Sequence, residues 1–266
     1  MQVEPRNERS TSPDMVSLIA SRHSKRAFTS RPVSRDMIET VLAAAANAPS
    51  SQNNQPWQVA VVTGKNRDQL STALCTAFDQ GVEPTPDYLN RPKQMPAILQ
   101  QCCEDYGRDF LTFKGIARDD AEGRHQHRRD NFLFYGAPVE LIFHLPAAAA
   151  AGTFLDLGFF MQNVILGLES YGLASCPQYS VASYSDIVRH HLGLGTDRTI
   201  VSGLAVGYPD PTLRLNTFVP DRAATETFTQ WYGWGAESAA DDAAPDGWAA
   251  GVADTPPAET AEMVQV

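Results

Sequence analysis

The sequence predicts an α+β or α/β protein: a central sheet covered by helices. Three observations carry this reading. Two long apolar, β-branched runs, Val139–Leu145 and Thr199–Tyr208, read as strands and are well separated in sequence. The segments around them have helical periodicity. The chain has 266 residues, of which 43% are hydrophobic and 20% charged, enough to build one sizeable domain with its own core.

The elements follow in order. Ser12-Pro13-Asp14 opens a first helix through Met15–Ser21, with a capping side chain, proline at the first helical position and an acid near the positive end of the dipole. Ser34 caps a second helix, where Met37, Ile38, Val41, Leu42 and Ala45 share one face and Ala43–Ala46 permits close approach. Pro49 ends it, and Trp57–Val62 reads as a buried strand. A helix over Asn66–Phe78 precedes a connection punctuated by Pro84, Pro86, Pro92 and Pro96, whose length suits a lid or binding loop. Two charged helices are predicted at about 97–113 and 119–131, and a long apolar helix over Thr153–Tyr171 stops at Gly172. Ser183-x-x-Asp186 has the form of a capping box opening a short helix to Leu192. The small residues of Thr199–Tyr208 mark a strand that something passes closely. Residues 1–11 are expected to be loose, 12–234 to form the domain, and 235–266 to be an acidic, disordered tail.

Charge and cysteine usage exclude several classes. The net charge is −10, but the segment from Gly235 holds seven acids and no Lys or Arg, so the rest of the chain carries −3. No long basic run is present, which disfavours nucleic-acid binding. Cys75, Cys102, Cys103 and Cys176 form no C-x-x-C pair and predict a reduced, cytoplasmic protein. The polar start of the chain does not read as a signal peptide. The apolar stretch Phe154–Leu168 is interrupted by Asp156, Gln162 and Asn163, which argues against a membrane span.

Two segments carry candidate chemistry. In Arg22-His23-Ser24-Lys25-Arg26, an extended backbone would place Arg22, Ser24 and Arg26 on one side, where two guanidinium groups and a hydroxyl can hold a phosphate. A solvated helix end would use the same residues. Pro49-Ser50-Ser51-Gln52-Asn53-Asn54-Gln55-Pro56-Trp57 offers six polar side chains between prolines, more than a turn needs. Such amides suit the mixed donor–acceptor edge of a flavin ring, so the pair suggests flavin mononucleotide. No G-x-G-x-x-G or Walker motif exists, which argues against a Rossmann dinucleotide fold. His125-x-His127 lies among arginines and reads as a solvated helix, so no metal is expected. Cys176 reads as a small buried residue, and no Ser-His-Asp set can be assembled.

The runs RHSKRAFTSRPV and AAAANAPSSQNNQPWQVAVVTG, followed by FLFYGAPVELIFHL, FLDLGFFMQNVILGLESYGLASCPQYS and VSGLAVGYPDP, resemble the FMN-dependent nitroreductase family and its nitrobenzoate-reductase-like branch. The similarity spans about Met15 to Trp234. It implies an α+β fold with a central mixed or antiparallel sheet flanked by helices, in an intertwined homodimer. Arg22 and Ser24 would then bind the FMN phosphate, joined by Arg222, with His23 lining the same strand of contacts and Arg26 near the ribityl chain and pyrimidine edge. Pro49, Ser50, Ser51 and Asn53 would reach the flavin of the partner subunit. Pro177, Gln178, Tyr179 and Ser180 would cover the other side of the ring, the Ser180 N–H approaching N5. Where well-studied members carry an acid followed by glycine, this chain has Tyr179-Ser180, which changes the charge and size of the pocket.

The function so implied is NAD(P)H oxidation through FMN with ping-pong reduction of a nitroaromatic or quinone-like compound. Either NADH or NADPH could be the reductant, the cofactor carries the chemistry, and no catalytic side chain is expected. Tyr106, Phe110 and Phe113 are candidate contacts to a small aromatic substrate. Two other functions fit the same resemblance: a flavoenzyme that dehydrogenates a natural-product intermediate or removes halogen reductively, and a flavin-binding protein without turnover.

Overall fold

The computed structural model describes residues 14–232, so the expectations for Ser12-Pro13, the N-terminal arm and the acidic tail lie outside the described residues. The fold is α+β. Helices α1 (Met15–Ser21) and α2 (Arg35–Ala45) precede strand β1 (Gln58–Thr63), and α3 (Gly64–Asp79), α4 (Ala97–Phe113) and α5 (Ala121–Arg129) follow it. Then come β2 (Val139–Pro146), α6 (Ala151–Ser170), β3 (Ala174–Gln178), α7 (Tyr179–Ala182), α8 (Ser185–Leu192) and β4 (Arg198–Gly207). The strands form one antiparallel sheet in the order β1-β2-β4-β3.

The described residues fall into two compact units, 14–92 with 107–218 and 93–106 with 219–232, so α4 contributes to both. The first unit holds the sheet and its two cores. On one face Leu141, Phe143, Leu145, Leu204 and Val206 pack with Ile38 and Val41 of α2 and Leu157, Phe160, Val164 and Leu168 of α6. On the other face Ile142, Ile200, Ala205 and Cys176 meet Leu70 and Leu74 of α3, Val181 of α7 and Val188 of α8. Alternate strand residues supply the two faces because successive side chains in a strand point to opposite sides. Helices α2 and α6 approach closely where Gly167 leaves room for Val41, whose Cγ1 would lie 3.0 Å from a Cβ at that glycine.

The Ser34 hydroxyl caps α2 by accepting from the Met37 N–H at 3.3 Å, as its position in the sequence predicts. Helix α6 ends before Gly172, which takes φ +71. Several expectations need correction. Strand β1 is a sheet edge with Val61 46% exposed, not a buried strand. The Ser183-x-x-Asp186 box does not form: Ser183 ends α7, Tyr184 starts α8, and Asp186 pairs with Arg189 at 2.6 Å. Strand β3 was unforeseen, because Pro177 argues against a strand. The proline is tolerated because β3 is the other edge. By length and composition α6 is apolar enough to cross a membrane, and its buried face covers the sheet.

The proline-punctuated connection begins as a strap rather than a free lid. Thr85 N–H donates to the Ser183 carbonyl at 2.8 Å, Tyr88 O–H to the Val201 carbonyl at 2.7 Å, and Arg189 pairs with Asp87 at 2.6 Å. In the second unit, Gln100 donates to Glu104 and Gln101 to Asp105 one helical turn on, at 2.8 and 3.0 Å. Val219, Phe228, Trp231 and Tyr232 are exposed there.

Candidate functional site

Residues 22–27 leave α1 in an extended run alongside β3, where the Lys25 N–H donates to the Ser175 carbonyl at 3.1 Å. A buried asparagine, Asn216, holds this run. Its Oδ1 accepts the Arg26 N–H at 2.9 Å, and its Nδ2 donates to the Ala27 and Asp210 carbonyls at 2.8 and 3.0 Å. Nothing in the local sequence marks Asn216, because it acts across about 190 residues of chain.

Period two splits the cluster. Lys25 Nζ donates to the Asn216 carbonyl at 2.9 Å and to His23 Nε2 at 2.6 Å. His23 Nε2 also lies 3.1 Å from the Asn216 carbonyl, and its Nδ1 lies 2.9 Å from the Ser21 carbonyl. On the other side the Ser24 hydroxyl lies against the Cys176 thiol together with Tyr135, and Arg26 spreads its guanidinium 4.7 Å from the Phe110 ring centre. Through space, Lys25, Arg22 and His23 act on Glu169, whose carboxyl burial pushes above the usual range against their pull.

The segment after β3 lies beside this run. Gln178 is buried and its Nε2 donates to the Asn131 carbonyl at 2.5 Å, while Tyr179 is half exposed. Gln178 Oε1 and the Ser180 hydroxyl are buried without a hydrogen-bond partner. Burial pushes the Cys176 thiol up to about 11, which fits an inert packing residue. Phe134 and Tyr135 hold φ +51 and +52, strained values for non-glycine residues, at the turn facing this region.

The Pro49–Trp57 loop is a second strained element. Gln52, Asn53 and Gln55 take φ between +45 and +58. The Ser51 N–H donates to both carboxylate oxygens of buried Asp156 at 3.3 Å, and the Gln55 N–H to the Ser50 hydroxyl at 3.1 Å. Trp57 stacks on Phe160 with ring centres 4.8 Å apart. With its backbone pinned, the loop turns Ser51, Gln52, Asn53 and Asn54 outward. Asp156, which in the sequence only interrupts an apolar helix, is thus the anchor of this loop.

These two elements do not meet within one chain. Ser51 is tied to α6 at Asp156 and the basic run lies at Glu169, so thirteen residues of helix separate them, about 20 Å. They also lie toward the two edges of the sheet, β1 and β3.

The candidate substrate residues differ in placement. Phe110 is buried, with Arg26 over its ring and Phe218 edge-on at 4.9 Å. Phe113 carries the Arg214 guanidinium 4.3 Å from its ring centre. Tyr106 is 37% exposed in the second unit, where Arg222 donates to the Pro220 and Asp221 carbonyls at 3.2 and 3.0 Å. The helix α5 histidines are not a solvated face. His125 pairs with Asp79 at 3.0 Å, and burial with the Lys114 charge holds His127 down to about 4.

The buried Ser180 hydroxyl without a partner follows a strand that runs alongside the arginine-, lysine- and serine-bearing segment, a donor set that fits a phosphate-bearing heterocycle such as FMN. Comparison with known proteins gives the same direction. The model of the Nitroreductase family matches residues 19–208. The chain is 33% identical over 222 residues to the 4-nitrobenzoate reductase of Pseudomonas putida, covering 83% of this chain and 96% of that protein. It is 34% identical over 226 residues to the nitrobenzene nitroreductase of Ectopseudomonas oleovorans, covering 82% and 97%. Among solved structures, the FMN and NADPH-dependent nitroreductase NfnB from Sphigopyxis sp. strain HMH superposes with a TM-score of 0.81 at 35% identity, covering 83% of this chain and all of that one. NfnB of Mycobacterium smegmatis, solved in complex with NADPH, gives 0.77 at 33% identity, covering 81% and 96%.

Proposed function

The chain belongs to the nitroreductase family, and from that premise we propose that it is an FMN-dependent NAD(P)H oxidoreductase that reduces nitroaromatic compounds. The observation that carries the reading is the buried, unpartnered Ser180 hydroxyl in the segment after β3, a strand that runs alongside Arg22–Arg26. FMN, when bound, supplies a ring that takes hydride from a nicotinamide and returns it to a second compound in the same space. Arg22 and Ser24 would hold its phosphate, with His23 lining the same run, and Arg222 is a further candidate for the phosphate. Arg26 would offer positive charge to the reduced ring. The Gln178–Ser180 backbone would orient one face and, with the aromatic residues nearby, exclude water. No proton-transferring side chain is required, so the pocket serves both substrates in turn and the kinetics are ping-pong. Tyr106, Phe110 and Phe113 remain candidates on the substrate side, Phe110 as a packed wall behind Arg26.

The site takes two chains in this reading. Pro49, Ser50, Ser51 and Asn53 stand about 20 Å along α6 from their own Arg22, too far to share one flavin, and Pro49, Ser51 and Asn53 are exposed. The exposed ridge Leu155–Phe159 on α6 beside them is apolar and suits a second copy of the chain. All four cysteines are free thiols, which favours a reducing compartment, the cytoplasm.

An anaerobic half-reaction tests the function. Mixing the purified yellow protein with NADH or NADPH should bleach the flavin, and adding a nitrobenzoate should restore its colour. A flavin that neither nucleotide bleaches refutes the reading. A flavin that bleaches but is not reoxidised by nitro compounds transfers the case to dehydrogenation or dehalogenation chemistry.

A further inference from the structure

Strand β2 carries an acid in an otherwise apolar stretch. The Glu140 carboxyl is wholly buried between Val139 and Leu141, and neither of its oxygens has a hydrogen-bond partner. It crosses the sheet toward Gly203 of β4: a Cβ there would collide with Glu140 Oε1, so the glycine leaves the space that the carboxyl fills. Gly203 is in turn paired with Gln178 of β3. Glu140, Gly203 and Gln178 lie on the same face of the sheet, the one packed by α7 and α8.

Gln178 commits its Nε2 to Asn131, and its Oε1 is buried without a donor. A carboxyl group and an amide oxygen, each short of a partner, thus flank one glycine. Two acceptors cannot satisfy each other, whereas the O–H of a carboxylic acid satisfies the amide oxygen and itself. Among the described residues no cation makes an ion pair with this acid. Arg67 acts on it only through space, its guanidinium being taken by Asp68 and the Ala137 carbonyl. Desolvation pushes the group well above the usual carboxyl range, against Arg67 and the Leu204 N–H.

We propose that Glu140 is a neutral carboxylic acid that donates its O–H to Gln178 Oε1 across Gly203, a positioning residue fixing the Pro177–Ser180 segment. The relay continues from Gln178 to the Asn131 carbonyl, and Asn131 Oδ1 accepts the Tyr135 O–H at 2.8 Å. It thereby ties the segment after β3 to the strained turn that lies against Ser24 and Cys176. The consequence for turnover rests on the flavin reading above, and the hydrogen bond itself does not.

Infrared difference spectra of the purified protein, wild type minus Glu140→Gln at mildly alkaline pH, test the bond. The expected result is the carbonyl stretch of a protonated carboxylic acid, moved to higher frequency in Gln178→Leu, which leaves Glu140 in place and removes its acceptor. Absence of that band, or a band that ignores Gln178→Leu, overturns the proposal whatever the protein catalyses. For the positioning role, Glu140→Gln retains a donor and should keep kcat/KM within about threefold, whereas Glu140→Leu and Gln178→Leu should each lose roughly tenfold and shift the flavin midpoint potential together. Equal effects of Glu140→Gln and Glu140→Leu on potential and rate would refute that role. A protein that shows the band but binds no FMN would support the bond and refute the flavin reading instead.

Discussion

Asp156 and Glu169 lie toward the two ends of helix α6: the first receives the Ser51 N–H, and the second is acted on by Lys25 and Arg22. The helix between them is a ruler of about 20 Å that keeps the amide-rich loop away from the basic run of its own chain. Each chain on this view holds half of two sites, and the predictions below follow from what pins each half.

Asp156→Ala should free the loop, since it removes the acceptor of the Ser51 N–H. The expected cost is about 1–2 kcal/mol in denaturant unfolding, with faster amide exchange over residues 51–54. Asp156→Asn, which keeps an acceptor oxygen, should lose less. Unchanged exchange in Asp156→Ala would show that the strained loop holds itself.

Arg22→Ala and Arg222→Ala should each yield a soluble but largely colourless protein. Both arginines are assigned to the phosphate, and Arg222 lies exposed on the surface of its own unit. The ratio of flavin to protein absorbance measures this. Full FMN content in either variant would remove that arginine from the site.

The pH dependence of stability should contain a term from His127. Burial first, then the Lys114 charge, holds its folded pKa at about 4 against an ordinary 6.5. The folded value is the lower, so the unfolded chain takes up the proton first, and the stability present above pH 6.5 is lost as pH falls toward 4. His127→Gln should flatten the melting temperature over that window. An acid limb of the same slope in both proteins would contradict the assignment.

Gly207→Ala should destabilise by about 1–3 kcal/mol through overpacking. A Cβ there would meet Pro138 Cδ at 2.7 Å and the Phe28 ring at 3.1 Å, and Phe28 follows directly from the basic run. Chemical denaturation checks it, and a neutral result would mean that Phe28 has room to move.

How much of this was legible in the sequence depended on range. The Ser34 cap and the Gly172 stop are local devices, satisfied within a few residues, and both were readable. The two long strands were readable because burial on both faces makes them continuously apolar. Strand β3 was not, because five residues containing Pro177 carry no periodic signal. The capping box at Ser183 failed because Arg189 claims Asp186, a competition that spacing alone cannot express. The candidate flavin residues came from a resemblance, whereas Asp156, Asn216 and Glu140 work through partners distant in sequence. Of these, Glu140 inside VELIFHL and Asp156 inside an apolar helix stand out as acids in apolar runs, whereas Asn216 leaves no local mark.

Subunit complementation tests the two-chain site most directly. Arg22→Ala would be co-expressed with a loop variant carrying Ser51→Ala and Asn53→Ala, and the doubly tagged heterodimer purified. Each parent alone should be nearly colourless and inactive. The heterodimer is expected to regain one yellow, nitro-reducing site per dimer, built from the intact arginine of one chain and the intact loop of the other. A heterodimer as empty as its parents would mean that both segments serve the same chain's flavin, and the account would fail.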